Sequence, residues 1–460
     1  RIKKDNIDID ELLKYLINRK LLPNKIDIIA IPFSNFLGKD GILEMQCPTY
    51  FYLKKEKIRR EYIKPKYFKD LLKINFKTKL KIYLDIRWQY YSLMNKVFDN
   101  FRQIESFNKF FIKKHIKNLF NNNNIQAPKI EFHDHHLSHA ASCLTIDNFD
   151  KDETNYIFVL DEHGDLKHSS FFEWSNKKFK LISSSKVNKI YSDGKAYITS
   201  IGSLYSNFTE ALDLRRSTDE GKVEALAAYG LPNKNLLKIL RRIIKVNKKE
   251  LNFLIDGNFF KKFLTVKKLK KYRAIIGDKN FASSIQNFLE EIVIEILKLY
   301  KSIFNFEKIY CAGGVFANVI LSYKIYKELN LKFVNVVPYM GDEGSGVGAS
   351  VLSLLKNGEC PSKITKISMP YLGNNYSEEE TLKSLKLFNR YVDFEYLKDD
   401  WINEAANALK NNKIIGNFNG NIEFGPRALG NRSILANPFF QDTRDKINLQ
   451  IKKRPWYQPL

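Results

Sequence analysis

The run Phe132-His133-Asp134-His135-His136-Leu137-Ser138-His139 is the stretch on which the reading of this chain turns. His135 and His139 are four residues apart, so on a helix their imidazoles project from one face, close enough to share a metal ion. Six of the seven histidines lie between His133 and His168, which concentrates this chemistry in one part of the chain. Two imidazoles leave a divalent ion under-coordinated, so a carboxylate from elsewhere has to complete the set. An isolated His-x-x-x-His more often caps or solvates a helix. The segments around this one decide its meaning.

Downstream, Asn155-Tyr156-Ile157-Phe158-Val159-Leu160 reads as a buried strand that runs into Asp161-Glu162-His163-Gly164-Asp165, either a phosphate or metal loop or an ordinary hairpin turn. The alternation through Ser170-Phe171-Phe172-Glu173-Trp174 fits a return strand. Ser200 to Tyr205 opens a helix, and Glu220-Gly221-Lys222-Val223 opens another that ends at Tyr229-Gly230, where glycine suits a left-handed cap. Apolar residues recur at helical spacing from Ala282 to Phe306, ahead of a strand from Lys308 to Cys311. There Cys311-Ala312-Gly313-Gly314-Val315-Phe316-Ala317-Asn318 reads as strand, double glycine and helix start, with free N–H groups for an anion or ribose. A further strand, Phe333 to Val337, leads to Asp342 at the head of a glycine-spaced helix, Gly341 to Ala349, and Asp342 can supply the missing carboxylate. Upstream, Ile26 to Pro32 reads as a strand, Leu80 to Phe120 as one or two helices, and Asn121 to Asn124 as a loop tip.

With 460 residues, 44% hydrophobic and 13% aromatic, the chain has material for two or three ordinary domains, which excludes wholesale disorder. The formal charge of +25 is spread along the chain rather than gathered in one stripe, so it points to no nucleic-acid surface by itself. Cys47, Cys143, Cys311 and Cys360 form no Cys-x-x-Cys pair, which argues against a zinc knuckle or disulfide framework and fits a reducing cytoplasm. No apolar stretch reaches the length of a membrane span, so no membrane insertion is expected. The chain starts at Arg1 and stops at Trp456-Tyr457-Gln458-Pro459-Leu460, which reads as a fragment at both ends.

The order of these motifs resembles the Kae1-like branch of the actin/hexokinase/Hsp70 ATPase fold. Within it, His135-His136-Leu137-Ser138-His139-Ala140-Ala141-Ser142 and the long run Glu423-Phe424-Gly425-Pro426-Arg427-Ala428-Leu429-Gly430-Asn431-Arg432-Ser433-Ile434-Leu435-Ala436 are similar to the O-carbamoyltransferases of nodulation-factor and antibiotic pathways. The resemblance implies an α/β protein: a Kae1-like transfer domain with duplicated ribonuclease H-like halves over residues 1–358, a linker at 359–372, and the truncated start of a YrdC-like α/β domain over 373–460. It places the first hairpin of the fold before Arg1 and most of the second domain beyond Leu460, which bears on whether this polypeptide acts alone.

The resemblance also implies the chemistry. Carbamoyl phosphate and ATP would yield carbamoyl adenylate, and the carbamoyl group would pass to a hydroxyl of a sugar or glycoside. His135, His139 and Asp342 would form the catalytic metal site, with iron as the divalent metal. Asp161, Gly164, Gly313, Gly314 and Asn318 would hold the nucleotide, and Arg427, Arg432, Ser433 and Lys452 would bind carbamoyl phosphate and ATP in the second domain. Paired imidazoles with a carboxylate leave open positions on a metal, and arginine forks suit phosphoryl oxygens. Two departures stand out: Glu162 follows Asp161 where the family usually has glycine, and Glu224-Ala225 and Ala227-Ala228 replace the family's Met-Gly and Ala-Pro. A homodimer is compatible with this reading. The competing readings are a tRNA threonylcarbamoyladenosine-type transferase, against which the Glu423 to Ser433 run counts, and a basic nucleic-acid-binding protein without catalysis, against which the dispersed lysines count.

Overall fold

The computed structural model describes residues 26, 28–32, 109, 113, 114, 116–118, 120–192, 195–397 and 400–460. The reading of Leu80 to Phe120 as helix therefore lies, apart from a few positions, outside the described residues. Contacts divide the chain into two compact units, one comprising Arg1–Ser138, Gly164–Leu166 and Leu352–Gly358, the other His139–His163, Lys167–Val351 and Glu359–Leu460.

In the first unit, β1 (Ile28–Ile31) pairs in parallel with β2 (Lys129–Phe132), with Ile29 opposite Ile130. Ile31, Ile116, Phe120 and Ile130 form the small apolar cluster behind them. The exit of β2 is tightly held: the His133 N–H donates to the Ile31 carbonyl, and the Ser353 hydroxyl lies 2.8 Å from Glu131 Oε2 and 2.7 Å from His133 Nε2. Lys129, hydrogen-bonded to Glu131, overcomes the effect of burial and pulls that carboxyl down to about 2. Beyond this exit begins α1 (His135–Ser142), the histidine helix.

The second unit is built on a five-stranded mixed sheet. Its first three strands in sequence are β3 (Asn155–Gly164), β4 (Lys167–Ser175) and β5 (Lys178–Lys186), and β3 is an almost unbroken buried run, as a strand covered on both faces requires. Asp165 and Leu166, and then Asn176 and Lys177, all take positive φ, the backbone of two-residue hairpin turns. The acidic segment Asp161 to Gly164 is thus the end of a strand and the hairpin turn follows it, which corrects the expectation of a loop there.

Two parallel strands, β6 (Lys308–Ala312) and β7 (Phe333–Val336), extend the sheet on its other side, giving the order β7-β6-β3-β4-β5. Between β5 and β6 lie α2 (Ile201–Ala211), α3 (Glu220–Ala227) and the long α4 (Asp278–Phe304). The Ser200 hydroxyl accepts the Ser203 N–H and caps α2, as expected for serine at this position. Helix α4 buries Phe281, Ile285, Phe288, Leu289, Ile292, Val293, Ile296 and Tyr300 at three- and four-residue intervals, and Tyr300 stacks on Phe171 of β4 at 4.0 Å. After β6 come α5 (Val319–Glu328) and, after β7, α6 (Asp342–Lys356). Gly230 does not adopt the left-handed cap expected of it: a Cβ there would stand 2.2 Å from the Lys279 carbonyl oxygen, so close chain approach is the constraint.

The C-terminal part adds two helices, Glu378–Leu387 and Trp401–Lys410, and an antiparallel pair, β8 (Ile415–Phe418) with β9 (Arg432–Leu435). Among the described residues no helix is long and apolar enough to cross a membrane.

One core residue has a pH signature. His168 is fully buried on β4, its ring stacks on Phe253, and neither ring nitrogen has a hydrogen-bond partner among the described residues. Burial pushes its pKa down to about 3. Unfolding frees the ring to bind a proton below about 6.5, so the stability tied to neutral His168 is complete above that pH and is lost as pH falls toward 3. Urea midpoints at pH 7 and pH 5 should show His168→Phe sparing about 2 kcal/mol of the loss that the parent chain suffers. Equal losses in both proteins would show that His168 carries none of it.

Candidate metal centre

In parallel strands the carboxyl ends share one edge, and what leaves those ends meets there. Tyr310 pairs with Ile157, Cys311 with Phe158 and Ala312 with Val159. This register sets the residues after β6 level with Asp161 on β3, and the Gly314 N–H donates to Asp161 Oδ1 at 3.1 Å. Gly313 turns the chain with φ +99°, and a Cβ on it would stand 2.4 Å from the Leu160 carbonyl oxygen. Its N–H donates to the Met340 carbonyl at 2.8 Å, tying the double glycine to the loop that delivers Asp342.

His139 joins these residues from α1. Its Nε2 is 3.4 Å from Asp342 Oδ1 and 3.8 Å from Asp161 Oδ2. His135 stands one turn earlier on the same unbroken helix, and the ligand atoms of His135, His139, Asp161 and Asp342 lie within 4.8 Å of one another. The imidazoles and Asp161 are buried, and the side chain of Asp342 is 49% exposed, marking the open side of the group.

His135 is oriented by its own surroundings. Asp165 Oδ2 accepts the His135 N–H at 2.7 Å, and His135 Nδ1 is 3.2 Å from the Pro32 carbonyl oxygen. With Nδ1 donating to that carbonyl, Nε2 carries the lone pair, the arrangement that orients metal-binding histidines. Gly164 is glycine because of this ring: a Cβ there would lie 1.9 Å from His135 Cδ2.

The donor set fits a divalent transition metal. Two imidazole nitrogens and two carboxylate oxygens suit iron, manganese, cobalt or zinc and leave positions for substrate oxygen on a six-coordinate ion. Two carboxylates so close also repel unless a cation or proton separates them. The sequence reading expected His135, His139 and Asp342 to converge, and they do. The run beginning at Asp161 was open to a phosphate or metal loop, and the resemblance assigned Asp161 to the nucleotide; its Oδ2 lies 3.8 Å from His139 Nε2, in the same group. The available signal was a carboxylate at the carboxyl end of an apolar parallel strand.

Both ends of the Asn318 amide are engaged: Oδ1 accepts the Leu321 N–H at 2.9 Å, capping α5, and Nδ2 donates to Gln286 at 2.8 Å. Glu224 Oε1 accepts the Ile320 N–H at 3.1 Å. The start of α5 was expected to present free N–H groups to a ligand, and these two are already taken by Asn318 and Glu224.

Glu162 points to Arg216, whose Nη2 donates to it at 2.5 Å and to Ser203 Oγ at 2.7 Å, while Nη1 donates to Asn207 at 2.8 Å. In the C-terminal run, Glu423 Oε1 accepts the N–H groups of Leu429, Asn431 and Arg432, which outweigh burial and hold its carboxyl below the usual range. Ser433 Oγ accepts the Gly430 N–H at 3.0 Å. Arg432 donates to the carbonyls of Asn419, Asn431 and Gly420 and lies 3.6 Å over the Phe418 ring. Lys452 follows the π-helical turn Lys446–Ile451. Arg427 instead reaches the double-glycine turn, donating to the Ala317 carbonyl at 2.5 Å.

Residues 46–351 match the model of the carbamoyltransferase N-terminus and residues 406–460 that of the carbamoyltransferase C-terminus. The chain belongs to the carbamoyltransferase family, a family of transferase enzymes. Among its relatives, an uncharacterized protein of Methanocaldococcus jannaschii is 38% identical over 94% of this chain and 71% of its own length. Nodulation protein NolNO of Sinorhizobium fredii is 28% identical over 73% of this chain and 47% of its own. A 3'-hydroxymethylcephem-O-carbamoyltransferase of Amycolatopsis lactamdurans is 28% identical over 33% of this chain and 27% of its own. The chain thus spans less than half the length of the last two.

If His135 is held as described, Gly164→Ala displaces its ring. Cobalt titration of the full chain should then show roughly ten- to a hundredfold weaker binding than in the parent. Gly221→Ala, whose added Cβ meets nothing within 4 Å, serves as the control and should bind as the parent does. Unaltered cobalt affinity in Gly164→Ala would remove His135 from the ligand set.

Proposed function

We propose that this chain transfers a carbamoyl group from carbamoyl adenylate to a hydroxyl of a sugar or sugar-bearing metabolite, at a metal held by His135, His139, Asp161 and Asp342. The single observation that carries the reading is the convergence of these four side chains at the edge where Gly314 binds Asp161, in a chain of this family. The adenylate forms from carbamoyl phosphate, ATP and water with release of phosphate and pyrophosphate. Residues 1–358 form the transfer domain and 373–460 belong to a YrdC-like domain, joined by 359–372. The mixed five-stranded sheet supports a ribonuclease H-like half within an actin/hexokinase/Hsp70-like fold.

In the transfer step the acceptor oxygen forms a bond to the carbamoyl carbon, the bond from that carbon to the AMP phosphate oxygen breaks, AMP leaves with the bond's electron pair, and the acceptor hydroxyl's proton passes to solvent. A bound divalent metal, which we take to be iron, supplies Lewis acidity that makes AMP a better leaving group. The chain's residues provide the setting. Gly313 and Gly314 let a ligand approach the backbone, the Asp165 and Pro32 contacts aim His135, and the Gly314 N–H keeps Asp161 turned toward His139.

The test follows AMP release and carbamate-ester formation from ATP, carbamoyl phosphate and a panel of sugar acceptors, with the full-length enzyme. His139→Ala should bring ester formation to background, and Asp161→Asn should lower it with a matching loss of cobalt affinity. Undiminished ester formation by His139→Ala would refute the assignment of this site.

A further inference from the structure

The helix that follows the double-glycine turn begins with its donors occupied. Asn318 holds the Leu321 N–H, and Glu224, a buried carboxylate on α3, holds the Ile320 N–H. An anion bound at Gly313–Asn318 therefore needs positive charge from another source, and Glu224 adds negative charge beside it.

That source lies in the C-terminal run. Phe424 packs on Tyr339 at 5.3 Å between ring centroids, and its N–H donates to the Pro370 carbonyl. Gly425, at φ +109°, crosses so near the chain that a Cβ would stand 2.5 Å from the Pro338 carbonyl oxygen. These contacts lay residues 423–427 as a strap over the loop that leads to Asp342. They leave the exposed side chain of Arg427 against the turn, with Nη2 on the Ala317 carbonyl. A guanidinium has five N–H donors, so this contact, the one hydrogen bond of Arg427 among the described residues, fixes its place without exhausting it. Glu224 feels its charge: burial pushes the Glu224 carboxyl up, while the Ile320 N–H and Arg427 draw it back down. Farther along, Gln458 donates to the Gly221 carbonyl and Trp456 packs on Tyr229, so the C-terminal residues also engage both ends of the segment that carries Glu224.

We propose that Arg427 is a nucleotide-binding residue of the double-glycine turn: its guanidinium meets the phosphate of an adenylate held there. The assignment rests on the carbamoyl-adenylate reading and moves Arg427 from the second domain's site to the first. It gives the C-terminal run a direct part in the transfer site.

Binding of AMP and of adenosine to the cobalt-loaded full chain, by calorimetry, tests it, with the cobalt absorption spectrum recorded alongside. Arg427→Met should weaken AMP roughly ten- to a hundredfold, the scale of a charged hydrogen bond, and leave adenosine and the spectrum as in the parent. Arg427→Lys should recover part of the loss. Glu224→Gln should tighten AMP severalfold. Equal binding of AMP by parent and Arg427→Met overturns the proposal, as does a parallel loss of AMP and adenosine, which would mean only that the turn had deformed. A parent chain that binds cobalt but favours AMP no more than adenosine also overturns it while leaving the metal centre standing. Failure of the parent to bind cobalt or AMP at all would instead remove the reading beneath it.

Discussion

The pairing of β6 with β3 is the constraint on which the rest of this structure depends. Parallel strands place their carboxyl ends together, but only one register brings the double glycine level with Asp161. With Ala312 opposite Val159, the Gly314 N–H meets one oxygen of Asp161 and leaves the other toward His139. A slip of one residue would turn Asp161 to the opposite face of the sheet and separate it from both partners. The apolar run that fills β3 and the packing of α4 on the sheet resist such a slip, because it would also expose core side chains. Sheet packing and site assembly are thus one requirement.

The same edge explains how side chains so distant in sequence share one place. Asp161 is bonded to the Gly314 N–H, the preceding Gly313 N–H is bonded to Met340, and Met340 lies two residues before Asp342. Backbone groups carry this connection, so it tolerates changes of side chain at Val315 or Met340 better than any change at Gly313. Its positive φ and the nearby Leu160 carbonyl exclude every larger residue without strain. Protein interiors of this density transmit small displacements, and a shift in either loop would be felt by both carboxylates.

Much of this was legible in the residues. Strands β3, β6 and β7 announced themselves as short apolar runs, α4 by its helical period, and the candidate ligand group by two histidines four apart and an aspartate heading a glycine-spaced helix. Local pattern failed where the deciding partner was remote. Nothing within Asp161 to Asp165 says whether the strand ends at residue 160 or 164, because a two-residue turn needs only Asp165 and Leu166. Nothing near Asn318 says that its amide closes on Gln286, 32 residues away. The Glu423 to Ser433 run signals its family plainly, yet its geometry comes from Glu423 gathering three backbone N–H groups, a role that a motif of side chains does not display. Asp161 is the instructive case, since its neighbours Gly314 and His139 come from segments remote in the sequence.

Glu162 and Glu224 share a physical setting. A partly buried carboxylate costs desolvation unless a donor or a cation answers it. Glu162 is held by Arg216, itself anchored to Ser203 and Asn207. Glu224 takes the Ile320 N–H and feels the charge of Arg427. The carboxylate at each position is answered from a different segment, so neither can be understood from its own neighbourhood. The Glu162–Arg216 pair links the end of β3 to the loop after α2, and the Glu224–Ile320 hydrogen bond links α3 to the start of α5. Removing Arg216 would leave on Glu162 a charge whose partner was part of its solvation.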